Sequence, residues 1–310
     1  MITLGDTSLC VLRTRSGALE RRDTQVWGER AALPPHLRGL GQVQGPAQVL
    51  YAYDAEGVVE LHPETLQVRA RVRTSSALSA LGASQDGQTL AGLDCEGQLV
   101  MWHMPTAKRW RLAVGASAGD ALAVSPDGQW VAWGHVRDRG GGVRLWRLKP
   151  SGPVCVAHAL DRRHVRDPTQ ALTRPGCLRL SFNAYTVAVY ASCQRLPSEG
   201  AGGWLASVQC YDLAQGGLLW QAPLGANLAQ RARALEDTEA VPGDLVLTPD
   251  AKKLYVASGA GVYCLLDARD GALIKMLAAP TSLDVHRINL DTRDQAWVQS
   301  ARDGLHALNV

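Results

Sequence analysis

An all-β fold assembled from repeated four-stranded units is what this sequence of 310 residues predicts. Three observations predict it. A tight-turn signature recurs along the chain. A small residue that leads into an alternating strand ending in a bulky pair recurs with it. The shorter intervals between copies match the length of one four-stranded unit. A period of about 40 to 50 residues is the mark of propellers and solenoids, and units made of short meandering strands select the propeller. The expectation is a single β-propeller domain over residues 1–310 with about seven four-stranded blades, or six if the terminal strands share a blade.

The turn signature reads Ser84-Gln85-Asp86-Gly87, Ser125-Pro126-Asp127-Gly128, Ser181-Phe182-Asn183-Ala184, Thr248-Pro249-Asp250-Ala251 and, more weakly, Thr292-Arg293-Asp294-Gln295. Pro presets φ at the second turn position, Asp or Asn bonds its own backbone, and Gly accepts positive φ, so one hairpin chemistry recurs because one hairpin recurs. The second signature is clearest in Gly97-Gln98-Leu99-Val100-Met101-Trp102 and Gly141-Gly142-Val143-Arg144-Leu145-Trp146. Other copies begin at Thr7, Gly57, Ala206, Gly261 and Gly304, which makes seven. Further strands are expected between the two signatures, as at Thr89–Gly92 and Trp130–Gly134, and after the second, as at Leu66–Ala70 and Gly217–Trp220. Alternation of period two buries one face of each strand, and stacking against neighbouring units buries the other.

With these motifs in view, residues 78–148 resemble two WD-repeat blades, through LSALGASQDGQTLAGLDCEGQLVMWHM and ALAVSPDGQWVAWGHVRDRGGGVRLWRL. Residues 204–278 resemble blades of quinoprotein-like and YVTN-type propellers, through VQCYDLAQGGLLWQ and KKLYVASGAGVYCLLDARDGALIKML. The resemblance implies a propeller frame and a protein-interaction role. It departs from the strict WD pattern. The Gly-His dipeptide is missing before each innermost strand and Trp-Asp is nowhere intact, which puts the buried Asp-His-Ser-Trp network in doubt.

Composition narrows the function classes. The formal charge is +3, with 32 Lys+Arg and 29 Asp+Glu dispersed through the chain, so no footprint for duplex nucleic acid stands out. The start of the sequence has neither a basic n-region nor an apolar h-region, and no apolar run approaches the length of a membrane span, so a cytoplasmic protein is expected. Cys10, Cys95, Cys155, Cys177, Cys193, Cys210 and Cys264 show no C-x-x-C spacing, and most of them are expected to be reduced, small core residues. No G-x-S-x-G elbow, H-E-x-x-H pair or helix-leading glycine loop occurs, so no catalytic, metal or cofactor residue is assigned. His62 stands where the clear blades carry Trp102 and Trp146, which makes it a packing replacement. Blade packing also accounts for Trp102, Trp110, Trp130, Trp133, Trp146, Trp220 and Trp297, whereas Trp27 and Trp204 fall nearer loops.

The repeat is interrupted near 150–176, 193–203 and 222–242, and insertions on a repeat scaffold map to its loops. Arg162, Arg163 and Arg166 form the densest basic run, and Arg231 and Arg233 add charge in a later interval. Guanidinium groups pair bidentately with carboxylates, so these five residues and Trp204 are the candidate partner-binding residues, and the candidate partner is a protein with an acidic surface. The leading function is a non-enzymatic, WD-repeat-like interaction scaffold in a signalling or multi-component bacterial assembly. The alternative is a lactonase-type propeller hydrolase, or a small-ligand sensor that uses the channel mouth.

Overall fold

The structure is a computed structural model that describes residues 2–4, 7–13, 19–23, 30–32, 36–43, 46–47, 49–62, 65–116, 121–135, 142–159, 179–182, 185–194, 204–215, 217–223, 243–248, 250–258, 262–277, 285–290, 296–300 and 304–308. These residues are almost wholly β, with one 3-10 turn at Met104–Thr106. Sheet I is built from β1 (Ile2–Leu4), β2 (Thr7–Arg13), β3 (Leu19–Asp23) and β4 (Arg30–Ala32). Three two-residue strands follow: β5 (Gly39–Leu40), β6 (Gln42–Val43) and β7 (Pro46–Ala47). Sheet II joins β5 to β8 (Leu50–Tyr53), β9 (Gly57–Leu61) and β10 (Val68–Arg73). Sheet III has β11 (Leu78–Ala83), β12 (Thr89–Asp94), β13 (Gln98–His103) and β14 (Lys108–Ala113). Sheet IV has β15 (Ala121–Val124), β16 (Trp130–His135), β17 (Gly142–Lys149) and β18 (Gly152–Ala159).

Sheet V has β19 (Arg179–Phe182), β20 (Thr186–Gln194), β21 (Trp204–Asp212) and β22 (Leu218–Pro223). Sheet VI has β23 (Gly243–Leu247), β24 (Lys253–Ser258), β25 (Val262–Asp267) and β26 (Leu273–Leu277). Sheet VII has β27 (Val285–Leu290), β28 (Ala296–Ser300) and β29 (Gly304–Ala307). Six of the seven small-residue signatures fall on the third strand of a sheet. The copy at Thr7 falls on the second, because Ile2–Leu4 supplies a strand ahead of it that pairs Ile2 with Leu9 and Leu4 with Thr7. Sheet I thus has four strands of its own, and sheet VII has three among the described residues, so the strands group into seven sheets rather than six.

The chain divides into two compact units, Met1–Val131 with Arg147–Val154 and Asn289–Gln295, and Ala132–Trp146 with Cys155–Ile288 and Ala296–Val310. In the first unit, residues 39–47 stitch three sheets. Here β5 closes sheet II, β6 lies parallel to β11, and β7 lies parallel to β1. The expected turn chemistry is present in full at Ser84. Its hydroxyl donates to Asp86 at 2.7 Å and accepts the Thr89 N–H at 2.9 Å, while Asp86 accepts the Gln88 N–H. Ser125, Asp127, Gln129 and Trp130 repeat the arrangement. These turns leave Leu90, Leu99 and Val131 fully buried, and the Tyr51 hydroxyl reaches the Gly87 carbonyl to tie sheet II to sheet III.

In the second unit, Thr248, Asp250, Lys252 and Lys253 make the same turn, with Ala251 at φ 60° where the Ser84 and Ser125 turns place Gly. Neighbouring sheets are tied through polar groups. The Leu247 N–H donates to the Ser181 hydroxyl, the Ile288 N–H to Asp244, and the Trp220 indole N–H to the Ala268 carbonyl at 2.9 Å. Between sheets V and VI lies an apolar core that includes Val208, Cys210, Trp220, Leu254, Cys264 and Leu266.

The three expected insertions are shorter at their edges than the sequence indicates. Gly152–Ala159 is the outer strand of sheet IV, because Val154 and Val156 alternate with polar or small neighbours as a strand requires. Cys193 and Gln194 complete β20, and Ala222 and Pro223 complete β22. Residues 160–176, 195–203 and 224–242 lie outside the described residues.

Gly271 sets how closely sheet V meets sheet VI. It sits at φ +73°, and a Cβ there would come within 2.5 Å of Trp220 Cε3, whereas one on Gly217 would meet nothing within 4 Å. Gly271→Ala is expected to lower stability by about 2 to 3 kcal/mol, and Gly217→Ala by less than about 1 kcal/mol, in denaturant melts followed by circular dichroism. Equal losses from the two changes would refute the close packing of Trp220.

Candidate partner-binding surface

Sheets II and III repeat one electrostatic device, 40 residues apart in numbering. Asp54 is buried; one of its oxygens accepts the N–H groups of Glu56 and Gly57, and Arg71 contacts both oxygens at 2.9 and 2.7 Å. Asp94 likewise accepts the N–H groups of Glu96 and Gln98 and pairs with Arg111 at 3.3 Å. Burial pushes the Asp54 carboxyl up. The Glu56 N–H, the Arg71 guanidinium and the Gly57 N–H outweigh it, so the acid lies below the usual carboxylate range. The recurring Asp-x-Glu-Gly in the sequence, with Arg seventeen residues after the Asp, is a signal that sequence reasoning missed.

The resolved shifts move groups away from neutral pH. Hydrogen bonds from Arg269 bring Asp267 down to about 2. Burial pushes the Cys264 thiol up to about 12 and the phenols of Tyr51 and Tyr263 to about 12. Burial also raises Cys210, to about 11, against hydrogen bonds from Thr186 and Tyr211. A general acid or base needs the opposite tuning, toward the working pH. Among the described residues no group of three or more His, Cys, Asp or Glu is placed to hold a metal ion.

The outer strands differ sharply between the sheets. In the second unit β22 contains no charged residue and β26 contains only Lys275. Both carry a β-bulge, between the registers Cys210↔Trp220 and Tyr211↔Leu218 in one, and Leu265↔Lys275 and Leu266↔Leu273 in the other. The extra residues are Leu219 and Ile274, which are 54% and 50% exposed, beside Leu273 at 58% and Met276 at 48%. A bulge re-aims the side chain of its extra residue, and the rest of each outer strand is exposed as well, so large apolar groups face water. Tyr185, at the turn from β19 to β20, is 75% exposed.

Of the residues singled out in the sequence, Arg162, Arg163, Arg166, Arg231 and Arg233 lie outside the described residues, as does Trp27. Trp204 is not a loop residue: it opens β21 and pairs with Gln194, because the strand runs two residues ahead of the recognised repeat. His62 is half-buried and its Nδ1 accepts the Thr65 N–H, so it holds a turn rather than filling a tryptophan's place. Trp102, Trp130, Trp133, Trp146 and Trp220 are buried as expected. The Trp102 indole nitrogen is buried without a hydrogen-bond partner among the described residues, so it makes no WD-type indole hydrogen bond there. Cys95, Cys155, Cys210 and Cys264 are thiols rather than disulfides. Cys210 and Cys264 are core residues, but Cys95 and Cys155 are exposed. No helix among the described residues is long and apolar enough to cross a membrane.

No protein-family model matches the chain, and no curated protein matches it. Among solved structures, one titled Kuenenia stuttgartiensis Hydrazine Synthase is similar with a TM-score of 0.72 and 15% sequence identity, over 100% of this chain and 94% of that chain. In all, 1356 solved chains match, so the frame is widely shared and does not by itself specify chemistry. At 15% identity the likeness shows the fold alone, and with seven sheets built mainly of antiparallel strands that fold is a β-propeller.

The thiols give a direct check on the burial and electrostatics. At pH 8 iodoacetamide is expected to modify Cys95 and Cys155 in the native protein, and Cys210 and Cys264 only after denaturation, because raised pKa values keep the latter two protonated and their burial denies access. Rapid native labelling of Cys264, read by peptide mapping, would contradict the packing between sheets V and VI.

Proposed function

We propose that this chain is a non-enzymatic protein-interaction scaffold with WD-repeat-like blades that works in the cytoplasm, and that the outer strands of sheets V and VI form one of its partner-binding surfaces. The observation that carries the reading is the pair of bulged outer strands, which hold Leu219, Leu273, Ile274 and Met276 in water. Apolar side chains grouped on neighbouring sheet edges mark interaction sites, and Met adapts its shape to a partner at little cost. Arg162, Arg163 and Arg166 are the second element of the proposal, because their guanidinium groups are suited to pairing with carboxylates.

The test begins with capture of partners from the source cells and purification of the partner. Its affinity is then measured for wild type, for Leu219→Glu with Ile274→Glu, and for the charge reversal of Arg162, Arg163 and Arg166 to Glu, each beside a thermal melt. Each set is expected to weaken binding by about 2 kcal/mol while the melting temperature holds, and the effect of the arginine set should shrink as salt is added. Unchanged affinity in well-folded variants would reject the surface. Saturable hydrolysis of ester or lactone substrates by the wild-type protein would reject the non-enzymatic reading.

A further inference from the structure

The first unit carries the opposite kind of surface. Neither 97–116 nor 142–154 contains an Asp or Glu, and the two stretches bring together Lys108 and Arg109 from β14 with Arg147 and Lys149 from β17. The stretches meet directly, because the Lys108 ammonium donates to the Pro150 carbonyl at 2.8 Å. All four basic side chains are exposed. Two of them are also held in place. The Arg109 guanidinium lies over the Trp102 ring at 5.8 Å and that of Arg147 over the Trp130 ring at 5.7 Å. Trp102 and Trp130 are themselves buried, so each arginine rests on a rigid apolar floor. A stacked guanidinium keeps its N–H edge free and has lost much of its rotamer freedom before any ligand arrives, which favours bidentate pairing with carboxylates.

We propose that Lys108, Arg109, Arg147 and Lys149 form a docking surface for an acidic segment of a partner protein, rich in Asp and Glu. The assignment rests on the interaction reading above and names a second surface with its own partner chemistry. Charge complementarity carries it. Arg71 and Arg111, nearby in sequence, already answer Asp54 and Asp94, whereas Arg109 and Arg147 have no acidic partner among the described residues. Single-stranded nucleic acid is disfavoured as the occupant because it needs exposed aromatic platforms for its bases, and here the indole faces are covered by arginines.

The experiment uses the full chain with fluorescein-labelled deca-glutamate and, in parallel, a ten-nucleotide thymidine oligomer, followed by anisotropy at low and moderate salt. Deca-glutamate is expected to bind more tightly than the oligonucleotide, with an affinity that falls as salt rises. Arg109→Gln with Arg147→Gln should weaken it at least about tenfold. Lys108→Gln with Lys149→Gln, which disturbs no aromatic stack, should also weaken it and keeps the test meaningful if the arginine pair melts early. Lys253→Gln, at the start of β24 in the second unit, should change nothing. Deca-glutamate affinity indifferent to both basic pairs would overturn the proposal, and so would tighter binding of the thymidine oligomer lost in the same variants. The interaction reading is judged on purified partner and the β22 and β26 variants, so either surface can fail without the other.

Discussion

The first hairpin of a sheet has to hold its register, and everything outward of it depends on that. At Ser84, Ser125 and Thr248 one hydroxyl donates to an aspartate two residues on and accepts a backbone N–H five residues on, locking the turn from both sides. A slip of one residue would exchange the two faces of the following strand. With the register fixed, Leu90, Val131 and Leu254 are placed against neighbouring sheets and become fully buried. A four-stranded sheet has two faces to cover and cannot cover either alone, so correct register at each turn is what makes mutual burial available.

Burial declines from the second and third strands to the outermost, and the chemistry follows. β12 is buried along its whole length, while β10, β14 and β26 are mostly exposed. Side chains committed to packing have little left to offer a partner. The outer strands are free to diverge, and they do: arginine and lysine prevail in β10 and β14, and leucine, isoleucine and methionine in β22 and β26. Charged residues on an edge also discourage pairing with other chains, and the bulges in β22 and β26 serve the same end where charge is scarce. The same devices that protect these edges therefore determine what they can recognise.

Much of the frame was legible in the sequence because turn chemistry is local. Asp86, Asp127 and Asp250 announce their hairpins through neighbours within a few positions, and Trp102 and Trp146 mark third strands. The strand at Ile2–Leu4 was missed because three residues carry too little alternation to be read, and Gly152–Ala159 was taken for an insertion because Gly and Pro open it. The surfaces were least legible. Leu219 and Ile274 sit at bulges, which depend on cross-strand register, and the stacking of Arg109 on Trp102 is a contact across a hairpin with no sequence signature of its own. The paired Asp54–Arg71 and Asp94–Arg111 bridges were readable in principle from their common spacing.

Hydrogen exchange of the free protein, resolved by peptide, tests most directly whether the outer strands are open edges over a locked interior. Amides of β12, β16 and β24 are expected to exchange slowest, since each of these strands lies between two others in its sheet, and those of β22 and β26 fastest among the strands of sheets V and VI. Protection in β26 equal to that in β24 would mean that the edge is already covered, and would contradict the claim that sheets V and VI offer it to a partner.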